Sequence, residues 1–314
     1  MKQVIVVGAG NWGKNLIHNF YNLGALAGVA EMNPDLRQQV ESKYPQVKTY
    51  TDFAGVLESD VSAVVLATPA PTHYQLAMTA LKAGKDVFVE KPMTLRTQEA
   101  KSLAEYADQQ GRILMVGHLL LYQPAITWMR NYLAQGKGGK VLHVATQRAK
   151  LGKVRREENV WWSFAPHDVS VVLDLLGNPT LSRVQASGQA MLQPGIEDNV
   201  YVDIVFESGQ TAHLHSSWYW PELLRSTTVI TEQEMLVYDE VAQKVTIYHK
   251  GVDDQLNNRD QGSQVVDVAN SEPLKIECEH FLDCLQTRKK PLSDGWNGVA
   301  VVEILEKAQE ILRG

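Results

Sequence analysis

Val4-Ile5-Val6-Val7-Gly8-Ala9-Gly10-Asn11-Trp12-Gly13 is the stretch on which the fold turns. Its first four residues form an unbroken β-branched run, as a strand buried on both faces of a parallel sheet requires. The next six read Gly-x-Gly-x-x-Gly, and a helical pattern from Trp12 to Leu23 follows, closed by Gly24. Such a turn lets backbone approach a pyrophosphate and leaves the N–H groups of a helix N-terminus facing the anion. A second strand, Leu26 to Ala30, ends at Glu31, about 20 residues beyond the glycines, where a carboxylate accepts hydrogen bonds from ribose hydroxyls. The spacing predicts a dinucleotide-binding βαβ unit with Gly8, Gly10, Asn11, Trp12, Gly13 and Glu31 at the cofactor. A carboxylate at Glu31 repels a 2′-phosphate and the nearest arginine is Arg37, so NAD is expected over NADP.

Outward from this unit the rhythm repeats. Helices are expected at Pro34 to Lys43, Asp52 to Leu57, Thr72 to Ala83 and Thr97 to Gln110, with strands at Ala63 to Ala67, Asp86 to Val89 and Ile113 to Val116. Strands and helices alternating in this way specify an α/β Rossmann domain with a doubly wound parallel sheet, assigned to residues 1–118. Beyond it a helix from Pro124 to Leu133 gives way to strand-like runs between Val141 and Tyr248. Glu207-Ser208-Gly209-Gln210 forms a turn between two of these runs and implies antiparallel pairing. Residues 119–314 are therefore expected to form an α+β substrate-binding and oligomerisation domain with a large, mostly antiparallel open sheet. Helices at Ala165 to Leu176, Pro273 to Gln286 and Gly298 to Leu312 are expected to cover one face of that sheet.

The 314 residues are 44% hydrophobic and 21% charged, with a formal net charge of −6. This balance, without a basic run, excludes a nucleic-acid or polybasic membrane footprint and points to small-molecule chemistry. Met1 to Val7 runs straight into the glycine turn without the pattern of a secretory leader. No apolar run reaches the roughly 18 residues of a membrane span. Cys278 and Cys284 read as reduced thiols, and a cytoplasmic location follows. His213 and His215 share one face of a strand without a third ligand, so no metal is expected.

Thr68-Pro69 and Glu90-Lys91-Pro92 each end a parallel strand, where ligands of open α/β sheets bind. A lysine beside a carboxylate near the nicotinamide could orient a substrate hydroxyl and share its proton. Ala67-Thr68-Pro69-Ala70-Pro71-Thr72-His73 followed by Glu90-Lys91-Pro92, after the glycine turn, resembles the Gfo/Idh/MocA family of sugar and inositol oxidoreductases over essentially the whole chain. The resemblance makes Lys91 a catalytic residue that also touches cofactor and substrate, and adds Thr68, Pro69, His73 and Glu90 to the cofactor site. It makes His167, in Ser163-Phe164-Ala165-Pro166-His167-Asp168, the partner of Lys91. Ser163 stands where the family often has Asp, and a hydroxyl cannot hold the negative charge that a carboxylate would bring; Pro166 also departs from the family pattern.

The stretches Gly117-His118, Leu151-Gly152, Asn159-Val160-Trp161-Trp162 and Ala165-Pro166-His167-Asp168 resemble the nucleotide-sugar branch. Its members oxidise the 3-hydroxyl of UDP-linked N-acetylated sugars to a ketone that an aminotransferase uses, in cell-surface glycan or lipid A synthesis. His118, Tyr122, Arg155, Arg156, Trp161 and Ser163 are the further expected substrate residues, since arginine forks match phosphate oxygens. In the competing reading of the loop, Lys153, Arg155 and Arg156 balance Glu157 and Glu158 in solvent. The alternatives are an inositol or free-sugar dehydrogenase of the same family, and an NAD-binding regulator without catalysis. The family also implies a homodimer or homotetramer joined through the second sheet.

Overall fold

A computed structural model describes residues 3–269 and 271–314; Met1, Lys2 and Asn270 lie outside the described residues. Two compact units are present, one comprising the chain up to Leu119 with Glu272–Val302, the other Leu120–Ser271 with Glu303–Gly314.

In the first unit β1 (Val4–Val7), α1 (Gly13–Asn22), β2 (Leu26–Ala30), α2 (Pro34–Lys43), β3 (Lys48–Tyr50), α3 (Phe53–Leu57), β4 (Ala63–Leu66), α4 (His73–Lys82), β5 (Asp86–Glu90), α5 (Thr97–Gln109) and β6 (Leu114–Gly117) alternate as the sequence requires. The six strands lie in the order β3-β2-β1-β4-β5-β6 and all pair in parallel. Every residue of β1, β4, β5 and β6 is buried, as expected of strands covered by helices on both faces. The order reverses beside β1, and the carboxyl ends of β1, β4 and β5 bring the glycine turn, Thr68 and Lys91 to the crevice where such sheets bind ligands.

The second unit carries α6 (Pro124–Ala134), β7 (Val141–Ala149), α7 (Val160–Leu176), β8 (Leu181–Gln189), β9 (Asn199–Phe206), β10 (Thr211–Ser217), β11 (Leu224–Thr231), β12 (Met235–Asp239), β13 (Lys244–Val252) and β14 (Asn258–Val266). Its sheet has the order β14-β13-β12-β11-β7-β10-β9-β8. All pairs are antiparallel except β7 with β10. Helix α7 packs against β7, β9 and β10.

Three expectations are corrected. Helix α7 begins at Val160 rather than Ala165, because the Asn159 side chain accepts from the Trp162 backbone N–H at 3.1 Å and caps the helix there. Pro166 lies inside α7, where its missing N–H removes one helical hydrogen bond. Helix α8 (Pro273–Thr287) belongs to the first unit and packs against α1, so it does not cover the second sheet. The first unit thus extends beyond 1–118 by taking back Glu272–Val302, and α9 (Gly295–Arg313) begins in one unit and ends in the other. The strands β3 and β14 have no counterpart in the sequence reading. β14 is exposed at every residue but the last, so it shows none of the apolar alternation by which a strand is recognised.

Candidate active site

Gly8 has φ +96°, and a Cβ there would lie 2.8 Å from the Ala67 carbonyl oxygen, so only glycine fits. A Cβ on Gly13 would stand 2.0 Å from the Gly8 oxygen. These two glycines hold α1 against the strand ends. Gly10 is different: a Cβ added there meets nothing within 4 Å. Its bare backbone faces open space at the start of a helix, as a pyrophosphate site needs. Glu31 folds back on this turn, accepting from the Ala9 N–H at 2.7 Å through one oxygen and from the Asn33 N–H at 2.9 Å through the other. Each oxygen keeps a lone pair for a ribose hydroxyl. The residues therefore fit a dinucleotide.

Trp12 is half exposed, and its indole N–H donates to the Glu90 carboxylate. The Lys91 backbone N–H donates to the other oxygen of Glu90 at 3.3 Å. Gly117 pairs with Glu90 across the strands, and a Cβ there would lie 3.0 Å from the Glu90 carboxyl carbon and both its oxygens. Neighbouring bare backbone makes room for the acid. Burial pushes the Glu90 pKa up to about 7, against the Trp12 hydrogen bond and the Lys91 charge, which pull it down. His118 is 1% exposed, and neither ring nitrogen has a hydrogen-bond partner among the described residues. Burial, then the Lys91 charge, push its pKa down to about 3, so the ring is neutral.

Thr68 lies two residues beyond β4, its hydroxyl 2.7 Å from that of Thr72, and Pro69 follows it. His73 is corrected from a cofactor ligand to a brace. It is 1% exposed, with Nδ1 2.8 Å from the Pro92 carbonyl oxygen and Nε2 2.8 Å from that of Thr68. The ring ties together the two strand-end segments that carry Thr68 and Lys91. Burial lowers its pKa against the opposing pull of the two carbonyls.

In the second unit Ser163 and His167 lie four residues apart on α7 and share a face of the helix. Asp168, next in the chain, is 3% exposed and holds Arg148 through two hydrogen bonds, Nε to Oδ2 at 2.9 Å and Nη2 to Oδ1 at 3.0 Å. Arg148 also reaches Glu240 at 2.9 Å, and Glu240 takes Arg225 at 3.1 Å. Burial opposes the Arg148 charge, but Asp168 and Glu240 outweigh it and raise its pKa. This network ties α7 to β7, and with it fixes where His167 stands. The sequence reading passed over it because its members lie far apart in the chain.

Trp161 is corrected as a pocket wall: it is 0% exposed, and its indole N–H donates to the Leu305 carbonyl at 3.1 Å. Tyr122 is 4% exposed. Arg155 and Arg156 are exposed in the loop before α7, with Arg155 3.7 Å from Glu158. Cys278 and Cys284 are buried, free thiols. His215 is buried, accepted by Asn199 at 2.7 Å and stacked on Tyr201 at 4.2 Å. Among the described residues no group of side chains is arranged to hold a metal, and no helix is long and apolar enough to cross a membrane.

A glycine turn on a parallel sheet, an acid ending β2 and a Glu-Lys-Pro segment ending β5 define a dinucleotide-dependent oxidoreductase. Residues 2–118 match the family model described as "Oxidoreductase family, NAD-binding Rossmann fold", and residues 126–237 match the "GFO/IDH/MocA C-terminal domain". The chain belongs to the Gfo/Idh/MocA family of NAD-dependent oxidoreductases, which act on CH–OH groups of sugars. It is 26% identical to UDP-N-acetylglucosamine 3-dehydrogenase of Acidithiobacillus ferrooxidans over 95% of this chain and 93% of that protein. A solved structure of that enzyme superposes with a TM-score of 0.87 at 26% identity, covering 99% of this chain and 97% of the other. The chain is also 25% identical to scyllo-inositol 2-dehydrogenase (NAD(+)) of Bacillus subtilis over 81% of this chain and 77% of that protein. The WlbA dehydrogenase of Bordetella pertussis, solved with NADH and UDP-GlcNAcA, shares the fold with a TM-score of 0.81 at 20% identity, covering 99% and 96% of the two chains.

Two outcomes test this geometry. Gly10→Val should leave the melting temperature within a few degrees of wild type, because nothing occupies the space its side chain would enter. It should weaken NAD binding about tenfold or more by calorimetry, since the side chain displaces the pyrophosphate. Glu90 ionises near pH 7 when folded against its usual 4.5, so the stability it contributes is full below pH 4.5 and is lost as pH rises through 7. Glu90→Gln does not titrate. Its stability relative to wild type, from urea unfolding, should rise by about 3 kcal/mol across that window.

Proposed function

We propose that this chain oxidises the 3-hydroxyl of a UDP-linked N-acetylated sugar to the ketone, with NAD+ as oxidant. The observation that carries the reading is the match to UDP-N-acetylglucosamine 3-dehydrogenase, which runs through both units at nearly full length in sequence and structure. Exposed Arg155 and Arg156 in the loop before α7 support it, since guanidinium forks match phosphate oxygens.

When bound, the cofactor supplies the hydride acceptor. The chain does the rest. Gly8, Gly10, Asn11 and Gly13 cradle the pyrophosphate, Glu31 takes ribose hydroxyls, and Thr68 and Pro69 border the cofactor. His167 or Lys91 removes the hydroxyl proton as the carbonyl forms, and Glu90, ionising near neutrality, supports the charge of Lys91. His118, kept neutral by burial, offers a ring to the sugar without adding a second positive charge beside Lys91. Tyr122 and Ser163 complete the sugar contacts. Ser163, a hydroxyl where the family often has Asp, brings no negative charge to the face of α7 that carries His167.

The Arg155–Glu158 pair and the relation to scyllo-inositol 2-dehydrogenase favour a second reading, oxidation of an unphosphorylated polyol. In either reading the chain works in the cytoplasm, in keeping with its two free thiols. Copies associate as a dimer or tetramer through the sheet face that carries Tyr201, His213 and His215, opposite the face where α7 packs.

Purified protein with NAD+ should form NADH, followed by absorbance, with UDP-N-acetylglucosamine or its uronate and not with myo-inositol or glucose. Lys91→Ala and His167→Ala should each lower turnover about 100-fold or more while His167→Ala keeps NAD affinity. Arg155→Ala with Arg156→Ala should raise KM for the UDP-sugar about tenfold. NADH formed from myo-inositol alone, with KM indifferent to the arginines, would establish the polyol reading instead.

A further inference from the structure

Two contacts fix how α8 lies along β5. Asp86, the first residue of β5, takes the Arg288 guanidinium at the end of α8 at 2.6 and 3.0 Å. Phe88, two residues on, meets Phe281 edge to face with ring centroids 5.5 Å apart. Strand residues two apart share a face, and helix residues four apart stack one above the other. Helix and strand run in opposite directions, so the next step along both brings Glu277 opposite Glu90. Glu277 is 0% exposed, and neither of its carboxyl oxygens has a hydrogen-bond partner among the described residues.

Two carboxylates in an apolar interior cannot both ionise cheaply. The donors are divided unequally. Trp12 and the Lys91 backbone both donate to Glu90, and Glu277 receives neither. We propose that Glu277 is a carboxylic acid that stays protonated at neutral pH, and that it and Glu90 act as one pair holding a single negative charge beside Lys91. Glu277 is then a positioning residue, acting through Glu90; its bearing on catalysis rests on the reading of Lys91 as a proton-transfer residue.

The surrounding charges agree with this division. Glu90 is the ionisable group that faces Glu277 from β5, and Lys91 in turn faces Glu90. On its own helix Cys278 is a buried thiol whose pKa burial raises. From α1, which packs on α8, Lys14 and His18 point to solvent. Among the described residues no cation lies close enough to offset a charge on Glu277. Burial raises its pKa well above the usual range, and the Glu90 charge raises it further.

The test uses the full chain with Glu277→Gln, which keeps the shape and cannot ionise, and Glu277→Leu, which removes the polar group. Infrared spectra at pH 7 should show one protonated carboxyl fewer in Glu277→Gln than in wild type. NAD+ titrations between pH 5 and 9 should give a wild-type midpoint near that of Glu90, moved upward by about one pH unit in Glu277→Leu and by less than half of that in Glu277→Gln. An unchanged carboxyl band in Glu277→Gln would show that Glu277 is ionised, and a midpoint shared by all three proteins would make it a packing residue. Should Glu277→Leu fail to fold, the spectrum and titration of Glu277→Gln decide. Neither measurement needs a sugar, so failure to oxidise UDP-sugars overturns the substrate reading and leaves this one standing.

Discussion

The closeness of Gly13 to Gly8 is the constraint on which the rest of this protein depends. A single added carbon at Gly13 would stand 2.0 Å from the Gly8 carbonyl oxygen. That approach seats α1 on the sheet, points its first N–H groups at the open space beside Gly10, and puts Trp12 where its indole reaches Glu90. The cofactor cradle and the acid next to Lys91 are thus joined through one tight turn. Glu31 closes the same turn from the other side by accepting the Ala9 N–H.

Around that turn the molecule places charge by withholding partners. Glu90 receives two N–H donors and room over Gly117, so it ionises near neutrality rather than remaining a neutral acid. His118 receives none and is neutral. Each ring nitrogen of His73 lies 2.8 Å from a main-chain oxygen, so an N–H on either one holds the ring between two loops. The second unit uses the opposite device: Arg148 is buried with Asp168 and Glu240, and removing one member of such a network leaves uncompensated charge at a cost of about 3–5 kcal/mol. Rigid placement of His167 follows from that penalty.

Much of the first unit was legible because each signal was local. β-branched runs named the strands, Gly24, Gly84 and Gly111 closed helices with positive φ, and Asn33 and Asp52 capped the helices they precede. The start of α7 was legible in principle, since Asn159 is a strong cap residue, but Pro166 reads as a helix start and drew the boundary downstream. β14 was invisible because its side chains are exposed. Among site residues, Gly8, Gly10, Glu31, Glu90 and Lys91 sit at the strand ends that the spacing implied, whereas Trp161 and His73 turned inward to partners 144 and 19 residues away in the chain, Leu305 for one and Pro92 for the other.

The sequence by itself determined the alternation of strands and helices through most of the first unit, the glycine turn, the acid that favours NAD and the motif that carries Lys91. Each of these is fixed by residues within a turn or a strand of one another, where backbone geometry allows few answers. Tertiary structure alone decided that α8 returns to the first unit, that Glu277 stands opposite Glu90, and that Asp168 anchors His167's helix through Arg148. Burial and pairing between residues far apart in the chain are collective properties of packing, and no local pattern encodes which partner a buried charge will meet.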